Sequence, residues 1–167
     1  LVTVDDGRYF VRRTTEHYDL IGVDAYRQPY IPFHLTTKEF FEELAACLTA
    51  QGVVVVNVGR TATDYRLVEV IASTMRAVFP SVHVVDVAGY NNSMVIGTFG
   101  DLNPPIQERI EQLPIDSPLR TVAELALQTG NVRVVDPGGQ VFTDDHAPVE
   151  WVVDQMIFDA AREGENP

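Results

Sequence analysis

The chain has 167 residues, of which 46% are hydrophobic and 22% charged, a composition typical of one globular domain with its own core. No run approaches the roughly 18 to 20 apolar residues of a membrane span, and the single cysteine, Cys47, excludes an internal disulfide and a cysteine metal cluster, which favours a reducing cytoplasm. The formal net charge of −12 argues against a nucleic-acid partner, and it favours either a cationic substrate or solubility alone.

Strand and helix patterns alternate along the chain with short connections, which predicts an α/β fold. Residues 1–4 are predicted to form a strand, residues 9–14 a short helix or turn, and residues 18–24 a strand buried on both faces. Asp24 ends that strand, at the edge where open α/β sheets bind ligands. Capping the strand or the next turn is the alternative role for an isolated aspartate. Two prolines in residues 27–34 exclude a helix there, so this loop must cross the strand ends.

A capped helix and another buried strand follow the loop. Thr36 and Glu39 have the spacing of a capping box, which predicts a helix with Thr36 as its N-cap. The helix is expected to carry Leu48 on its apolar face and to stop at Gly52. Residues 52–58 are then predicted to form a fully buried strand.

Helical and extended patterns continue to the end of the chain. Helices are predicted over residues 64–78, 104–113 and 120–129 and from near Pro148, strands over residues 82–87 and 93–98, and short extended pieces at residues 132–136 and 141–142. The link between the two strands is so short that they must form an antiparallel hairpin.

A mostly parallel sheet with an antiparallel last strand is the Rossmann-like architecture of class I S-adenosylmethionine-dependent methyltransferases and their relatives. By this analogy the predicted strands correspond to the third to seventh of seven. The first two strands, with the Gly-rich turn that approaches the cofactor, would then precede Leu1. We therefore expect the distal part of a longer catalytic domain, with its sheet core in residues 1–98 and a C-terminal helical extension in residues 99–167.

The chain resembles, in the order and spacing of its motifs, the second half of the catalytic domain of spermidine synthases. The segments that carry this resemblance are residues 6–10, residues 18–24 and residues 52–55. Residues 31–41 are most similar to the spermidine-synthase-like branch of bacterial proteins, some of which are fused to membrane segments. The resemblance covers residues 1–98, with a weaker similarity at residues 143–150.

This resemblance implies transfer of an aminopropyl group from decarboxylated S-adenosylmethionine to an amine. Because a sulfonium activates the reacting carbon, the protein mainly has to orient the amine and remove its proton. Asp24 matches the family's catalytic aspartate. Asp6, followed by Gly7, matches the acidic residue that accepts a hydrogen bond from the adenine amino group, and Asp5 takes this role if the register shifts by one. An ordinary Asp-Gly turn is the alternative.

Three tyrosines are candidates for the substrate site. Tyr90 lies in the loop between the two hairpin strands, where these enzymes carry a tyrosine that contacts the amine; packing on the sheet is the alternative. Tyr26 and Tyr30 border the loop after Asp24 and are expected to wall the pocket. One residue departs from the family pattern: Arg27 stands where a second acidic residue grips the amine, and a cation there would repel a diammonium substrate.

Three acidic residues near the C-terminus, Asp144, Asp145 and Glu150, either restore negative charge to this site or act as N-terminal acids of the last helix. The four histidines lack ligand spacing, so no metal is expected.

Three hypotheses remain open: an aminopropyltransferase, a methyltransferase that uses S-adenosylmethionine itself, and a non-catalytic binding module with the same fold. The expected partner is a small-molecule amine, without nucleic acid or direct membrane contact. A homodimer is a further expectation, implied by the resemblance.

Overall fold

The computed structural model describes residues 2–25, 30–87, 89–100, 106–127 and 131–164. Its helices are α1 (Gly7–Val11), α2 (Lys38–Ala46), α3 (Arg66–Arg76), α4 (Ile106–Glu111), α5 (Pro118–Ala126) and α6 (Val149–Glu163), with a 3-10 turn at Phe33–Leu35. Its strands are β1 (Tyr18–Val23), β2 (Leu48–Gly59), β3 (Ser81–Asp86), β4 (Asn92–Thr98) and β5 (Val132–Val134). The predicted alternation of strands and helices is confirmed. None of these helices is both long and apolar enough to cross a membrane.

The strands form one sheet in the order β1-β2-β4-β3-β5. β1 and β2 are parallel, whereas β4 is antiparallel to both of its neighbours, β2 and β3. Hence β1, β2 and β3 run in the same direction, and the reversed β4 lies between two of them, which confirms the predicted hairpin. β5 pairs antiparallel with β3 at the edge of the sheet and adds a second reversed strand to the predicted arrangement.

The two faces of the sheet are covered differently. Val54, Val56 and Val58 of β2 are buried in the core on the face that packs against α3. Gly97 pairs with Val54, and a Cβ at Gly97 would lie 2.9 Å from a Met75 side-chain atom, so sheet and helix approach closely there. The opposite face carries half-buried and exposed residues of β1 and β2 up to the strand ends.

The C-terminal part of the chain contributes to the same core. Phe142 is fully buried, and its amide donates a hydrogen bond to the Thr74 hydroxyl of α3 at 3.0 Å. The Phe142 carbonyl accepts from the Lys38 amide at the beginning of α2, at 2.8 Å. The apolar face of α6 packs against α3 and adds Val149 and Met156 to the core.

Two predictions about local structure are wrong. Residues 2–4 do not form a strand, and no described strand pairs with the outer edge of β1, where their backbone groups would need partners. The N-cap of α2 is Thr37: its hydroxyl accepts from the Phe40 amide at 3.3 Å, whereas the Thr36 hydroxyl donates to the Phe33 carbonyl. Glu39 accepts from the Asp144 amide and does not complete a capping box.

The predicted end of this helix is also wrong. α2 ends at Ala46 and β2 already begins at Leu48, because Leu48 pairs with Tyr18 of β1. Gly52 therefore lies within a strand, where a Cβ would approach the Tyr18 carbonyl oxygen to 2.9 Å. Later helices correspond to α3, α4, α5 and α6 with shifted ends; residues 104–105 and 128–129 lie outside the described ranges. Residues 141–142 are not a strand.

Candidate functional site

Asp24 directly follows β1 at the carboxyl end of the strand, and its side chain is exposed. Val23, the last residue of β1, pairs with Val56 of β2, so Asp24 and Asn57 each follow one member of this pair. The Asn57 side-chain amide donates a hydrogen bond to Asp24 Oδ1 at 3.1 Å. This edge thus presents a carboxylate that is held from one side by a neutral donor.

The amide of Asn57 is itself held by a residue from the next strand. Asn92, the first residue of β4, donates from its Nδ2 to Asn57 Oδ1 at 2.7 Å. The sequence patterns above single out neither asparagine. The available signal is Asn57 itself, because it is a polar residue that interrupts a run of valines in a buried strand.

Asp6 lies just before α1 and is its N-cap. Its Oδ1 accepts from the Tyr9 amide at 2.9 Å, and its Oδ2 lies 3.1 Å from His34 Nε2. The hydrogen bond from the Tyr9 amide holds the pKa of Asp6 below its ordinary value, and the contact with His34 lowers it further. A Cβ at Gly7 would meet no described atom within 4 Å, so space is open beside this carboxylate. Asp5 is exposed, and its Oδ1 accepts from the Asp6 amide.

The loop that follows Asp24 reaches Asp6. His34 lies in the 3-10 turn of this loop, and buried Ile31 and Leu35 anchor the loop in the core. The His34 carbonyl also accepts from Arg8 Nη1 at 3.1 Å, which fixes the turn against α1. The described 3-10 turn of this loop is therefore fixed beside Asp6 and α1.

Arg8 is buried and forms a partly buried ionic network beside the 3-10 turn. Its guanidinium donates two hydrogen bonds to Glu43, at 2.8 and 2.7 Å, and two to Asp144, at 2.7 and 2.8 Å. The hydrogen bonds from Arg8 hold the pKa of Asp144 below its ordinary value, and the Thr37 hydroxyl donates to the same carboxylate. Asp144 is thus an anchor and has neither of the roles considered for it, whereas Glu150 does lie in the first turn of α6.

The candidate tyrosines lie in different surroundings. The Tyr30 hydroxyl donates to Asp154 of α6 at 2.7 Å, and this hydrogen bond raises the pKa of Tyr30. Tyr90 is 71% exposed in the hairpin between β3 and β4, so its side chain is not packed into the sheet. Tyr26 and Arg27 lie outside the described residues. Across the described ranges, no three His, Cys, Asp or Glu side chains form a group that could hold a metal ion.

The sheet order, with a reversed strand beside β3 and a carboxylate at the end of β1, defines a methyltransferase-like α/β protein. A spermidine synthase in complex with the transition-state analogue AdoDATO shares this fold, with a TM-score of 0.57 and 19% identity over 78% of this chain and 48% of that chain. Human methyltransferase-like protein 13 in complex with SAH shares it with a TM-score of 0.51 and 21% identity, over 75% of this chain and 57% of that chain. The predicted fold class is confirmed.

The chain belongs to the spermine/spermidine synthase family, because the model of the spermine/spermidine synthase domain matches residues 1–107. The probable polyamine aminopropyl transferase of Bifidobacterium longum is 29% identical over 180 residues, covering 96% of this chain. The match covers 40% of the Bifidobacterium protein, so this chain spans less than half the length of that relative. The resemblance to spermidine synthases is confirmed.

Proposed function

We propose that the complete protein transfers an aminopropyl group from decarboxylated S-adenosylmethionine to an amine, with Asp24 as the general base. The observation that carries this proposal is the exposed Asp24 carboxylate at the end of β1, in a chain of the spermine/spermidine synthase family. The spermidine synthase that shares the fold was solved with a transition-state analogue, which supports a co-substrate of this class.

The chemistry requires little of the protein beyond position and proton transfer. Asp24 attracts the ammonium group of the acceptor and takes one of its protons. The free nitrogen lone pair then attacks the carbon next to the sulfonium, so that a C–N bond forms as the C–S bond breaks and methylthioadenosine leaves. Exposure of Asp24 leaves room for the amine and lets the proton pass to solvent.

In this proposal Asp6 accepts the hydrogen bond from the adenine amino group. Its lowered pKa keeps the carboxylate ionised, and the open space at Gly7 admits the edge of a base. Asp5 is the alternative acceptor. The 3-10 turn that carries His34 would then lie beside the adenine.

The tyrosines complete the proposed amine site. Tyr90 is exposed on the hairpin at the same edge of the sheet as Asp24, and it is a candidate for contact with the amine chain. The Tyr30 hydroxyl donates a hydrogen bond to Asp154, so mainly the Tyr30 ring is available to form a wall of the pocket. Tyr26 remains a wall candidate, and Arg27 leaves open which amine is accepted.

The first prediction concerns Asp24→Asn in the complete protein, assayed for methylthioadenosine release with decarboxylated S-adenosylmethionine and a panel of mono-, di- and triamines. Loss of a general base is expected to lower kcat by about 10²- to 10⁴-fold. Asp19→Asn is the matched control, because Asp19 lies near the beginning of β1, away from the strand end that carries Asp24, and accepts a hydrogen bond from Thr49. No release with any amine, or release unchanged in Asp24→Asn, would contradict the proposal.

A methyltransferase that uses S-adenosylmethionine itself is the second candidate, favoured by the fold shared with human methyltransferase-like protein 13 in its complex with SAH. Arg27 supports it as well, since the cofactor's carboxylate needs a cationic partner. Titration calorimetry of the complete protein with both cofactors separates the two candidates. Tighter binding of the decarboxylated form is expected, and tighter binding of S-adenosylmethionine would favour methyl transfer. Failure to bind either would favour the non-catalytic module.

We further propose that the reaction takes place in the cytoplasm without a metal and that the protein is a homodimer. The single cysteine suits a reducing compartment, and the acidic surface suits a cationic substrate better than a nucleic acid. Light scattering of the complete protein tests the dimer.

A further inference from the structure

Three side chains from three adjacent strands form a hydrogen-bonded row at the candidate site. Asn92 of β4 donates to Asn57 of β2 at 2.7 Å, and Asn57 donates to Asp24 after β1 at 3.1 Å. These residues are far apart in the sequence, and the row exists only because β4 lies beside β2 in the sheet.

The direction of the hydrogen bonds in this row is fixed by chemistry. An ionised carboxylate only accepts hydrogen bonds, so Asn57 must turn its amide nitrogen toward Asp24. Its amide oxygen then faces Asn92, which must donate. If this donor were removed, the Asn57 oxygen would lose its hydrogen bond, and the Asn57 side chain would be free to leave the orientation in which it donates to Asp24.

The row also determines which part of the carboxylate remains available. Oδ1 of Asp24 is held on the side of the sheet by Asn57, and Asp24 is exposed while both asparagines are half-buried. Among the described residues, Asn57 is the hydrogen-bond partner of Asp24, which leaves Oδ2 and the outward lone pairs for a ligand. A general base held in one orientation by a rigid neighbouring strand is better placed to accept a proton than one that rotates freely.

The position of Asn92 depends on the hairpin that carries Tyr90. Arg60, just after β2, donates from its amide to the Asn91 carbonyl at 2.9 Å and from its guanidinium to the Tyr90 carbonyl at 3.2 Å. The hairpin is therefore bound to the end of β2, so that Asn92 keeps its distance to Asn57.

We propose that Asn57 and Asn92 are positioning residues for the base: Asn57 orients Asp24 for proton transfer, and Asn92 acts only by holding the Asn57 amide in its donating orientation. This inference rests on the proposed function. It adds two residues to the site and specifies the order in which they act.

The test is a double-mutant cycle in the complete protein. Asn57→Val removes the donor and continues the valine pattern of β2, and Asn92→Leu removes the donor to Asn57; both are measured alone and together. Asn92→Gln keeps an amide donor and serves as the conservative variant. Asn91→Leu is the matched control, since Asn91 is the exposed neighbour in the same turn. Each variant is measured for kcat, for KM of the amine, for methylthioadenosine affinity and for thermal unfolding.

Asn57→Val is expected to lower kcat by about 10- to 100-fold with KM and methylthioadenosine affinity nearly unchanged, because only the orientation of the base is lost. Asn92→Leu should lower kcat by about 3- to 10-fold in the native background and have no further effect in the Asn57→Val background, as expected of residues that act in series. Asn92→Gln should retain most of the native kcat. If Asn92→Leu does not fold, Asn92→Ala takes its place in the cycle.

Two results would overturn the inference alone. In the first, Asp24→Asn abolishes turnover while Asn57→Val leaves kcat unchanged. In the second, the effects of Asn57→Val and Asn92→Leu multiply in the double variant, as independent structural damage would. A protein that releases no methylthioadenosine, or in which Asp24→Asn is silent, overturns the proposed function together with this inference, so the two failures are distinguishable.

Discussion

The Asp6 side chain has two hydrogen-bonding roles. Its Oδ1 caps α1 through the Tyr9 amide, and its Oδ2 contacts His34. The Tyr9 hydrogen bond lowers the pKa of Asp6 in the folded protein, so the stability that the ionised group contributes is complete above the ordinary value of 3.8. That contribution is lost as the pH falls through the lower folded value. The carboxylate is thus an ionised acceptor near neutral pH.

Replacing Asp6 separates these roles. Asp6→Ala removes the cap, and it is expected to lower the free energy of unfolding by about 1 kcal/mol and to weaken binding of methylthioadenosine. Asp6→Asn keeps a cap oxygen but turns an amide donor toward the adenine amino group, so stability near neutral pH should be nearly unchanged while affinity falls about tenfold. Thermal unfolding and titration calorimetry of the complete protein measure both effects. Unchanged affinity in both variants would remove Asp6 from the adenine site.

Only some of the candidate site follows from the sequence. Asp24 is recognisable because a local pattern, an apolar strand that ends on a carboxylate, marks it. Asn57 and Asn92 are not, because their contacts depend on β4 lying between β2 and β3, which places residues 24, 57 and 92 side by side. The role of Asp144 also depends on a distant partner, since Arg8 is the residue that binds it.

The beginning of α2 shows, at the scale of elements, how a distant segment decides local structure. The backbone amide of Lys38, in the first turn of α2, donates a hydrogen bond to the Phe142 carbonyl. The Thr37 hydroxyl donates to Asp144 at 2.7 Å. The segment around residues 142–144 therefore covers the first turn of the helix. Sequence spacing alone favours Thr36 as the cap, because Glu39 follows it at the spacing of a capping box. The partner that favours Thr37 is Asp144, which is more than a hundred residues away in the chain.

Arg8 is expected to be the main anchor of this arrangement. Arg8→Met would leave the carboxylates of Glu43 and Asp144 without their shared cation, and it should lower the free energy of unfolding by about 3 kcal/mol. The lower end of the range for buried pairs applies because the Asp144 side chain is 40% exposed. Arg12→Met is the control, since Arg12 also binds Glu43 but is 55% exposed, and a much smaller effect is expected. Urea unfolding compares the variants, and equal effects would contradict the account.

In the whole molecule, the residues of the candidate site lie together at one end of the strands. The carboxyl ends of β1 and β2 and the beginning of β4 bring Asp24, Asn57 and Asn92 together on the less covered face. The sequence predicts this architecture because alternating elements and a short hairpin link leave few possible topologies. The sequence does not predict that β5 pairs with β3. The three residues of β5 are too few to show a strand pattern of their own.

The most direct test of aminopropyl transfer is the mass of the product amine. The complete protein is incubated with an amine panel and either decarboxylated S-adenosylmethionine or S-adenosylmethionine, and each amine is analysed by mass spectrometry. We expect an amine that has gained one aminopropyl group, formed only from the decarboxylated co-substrate and absent with Asp24→Asn. A methylated product formed from S-adenosylmethionine, or an unmodified amine with both co-substrates, would contradict it.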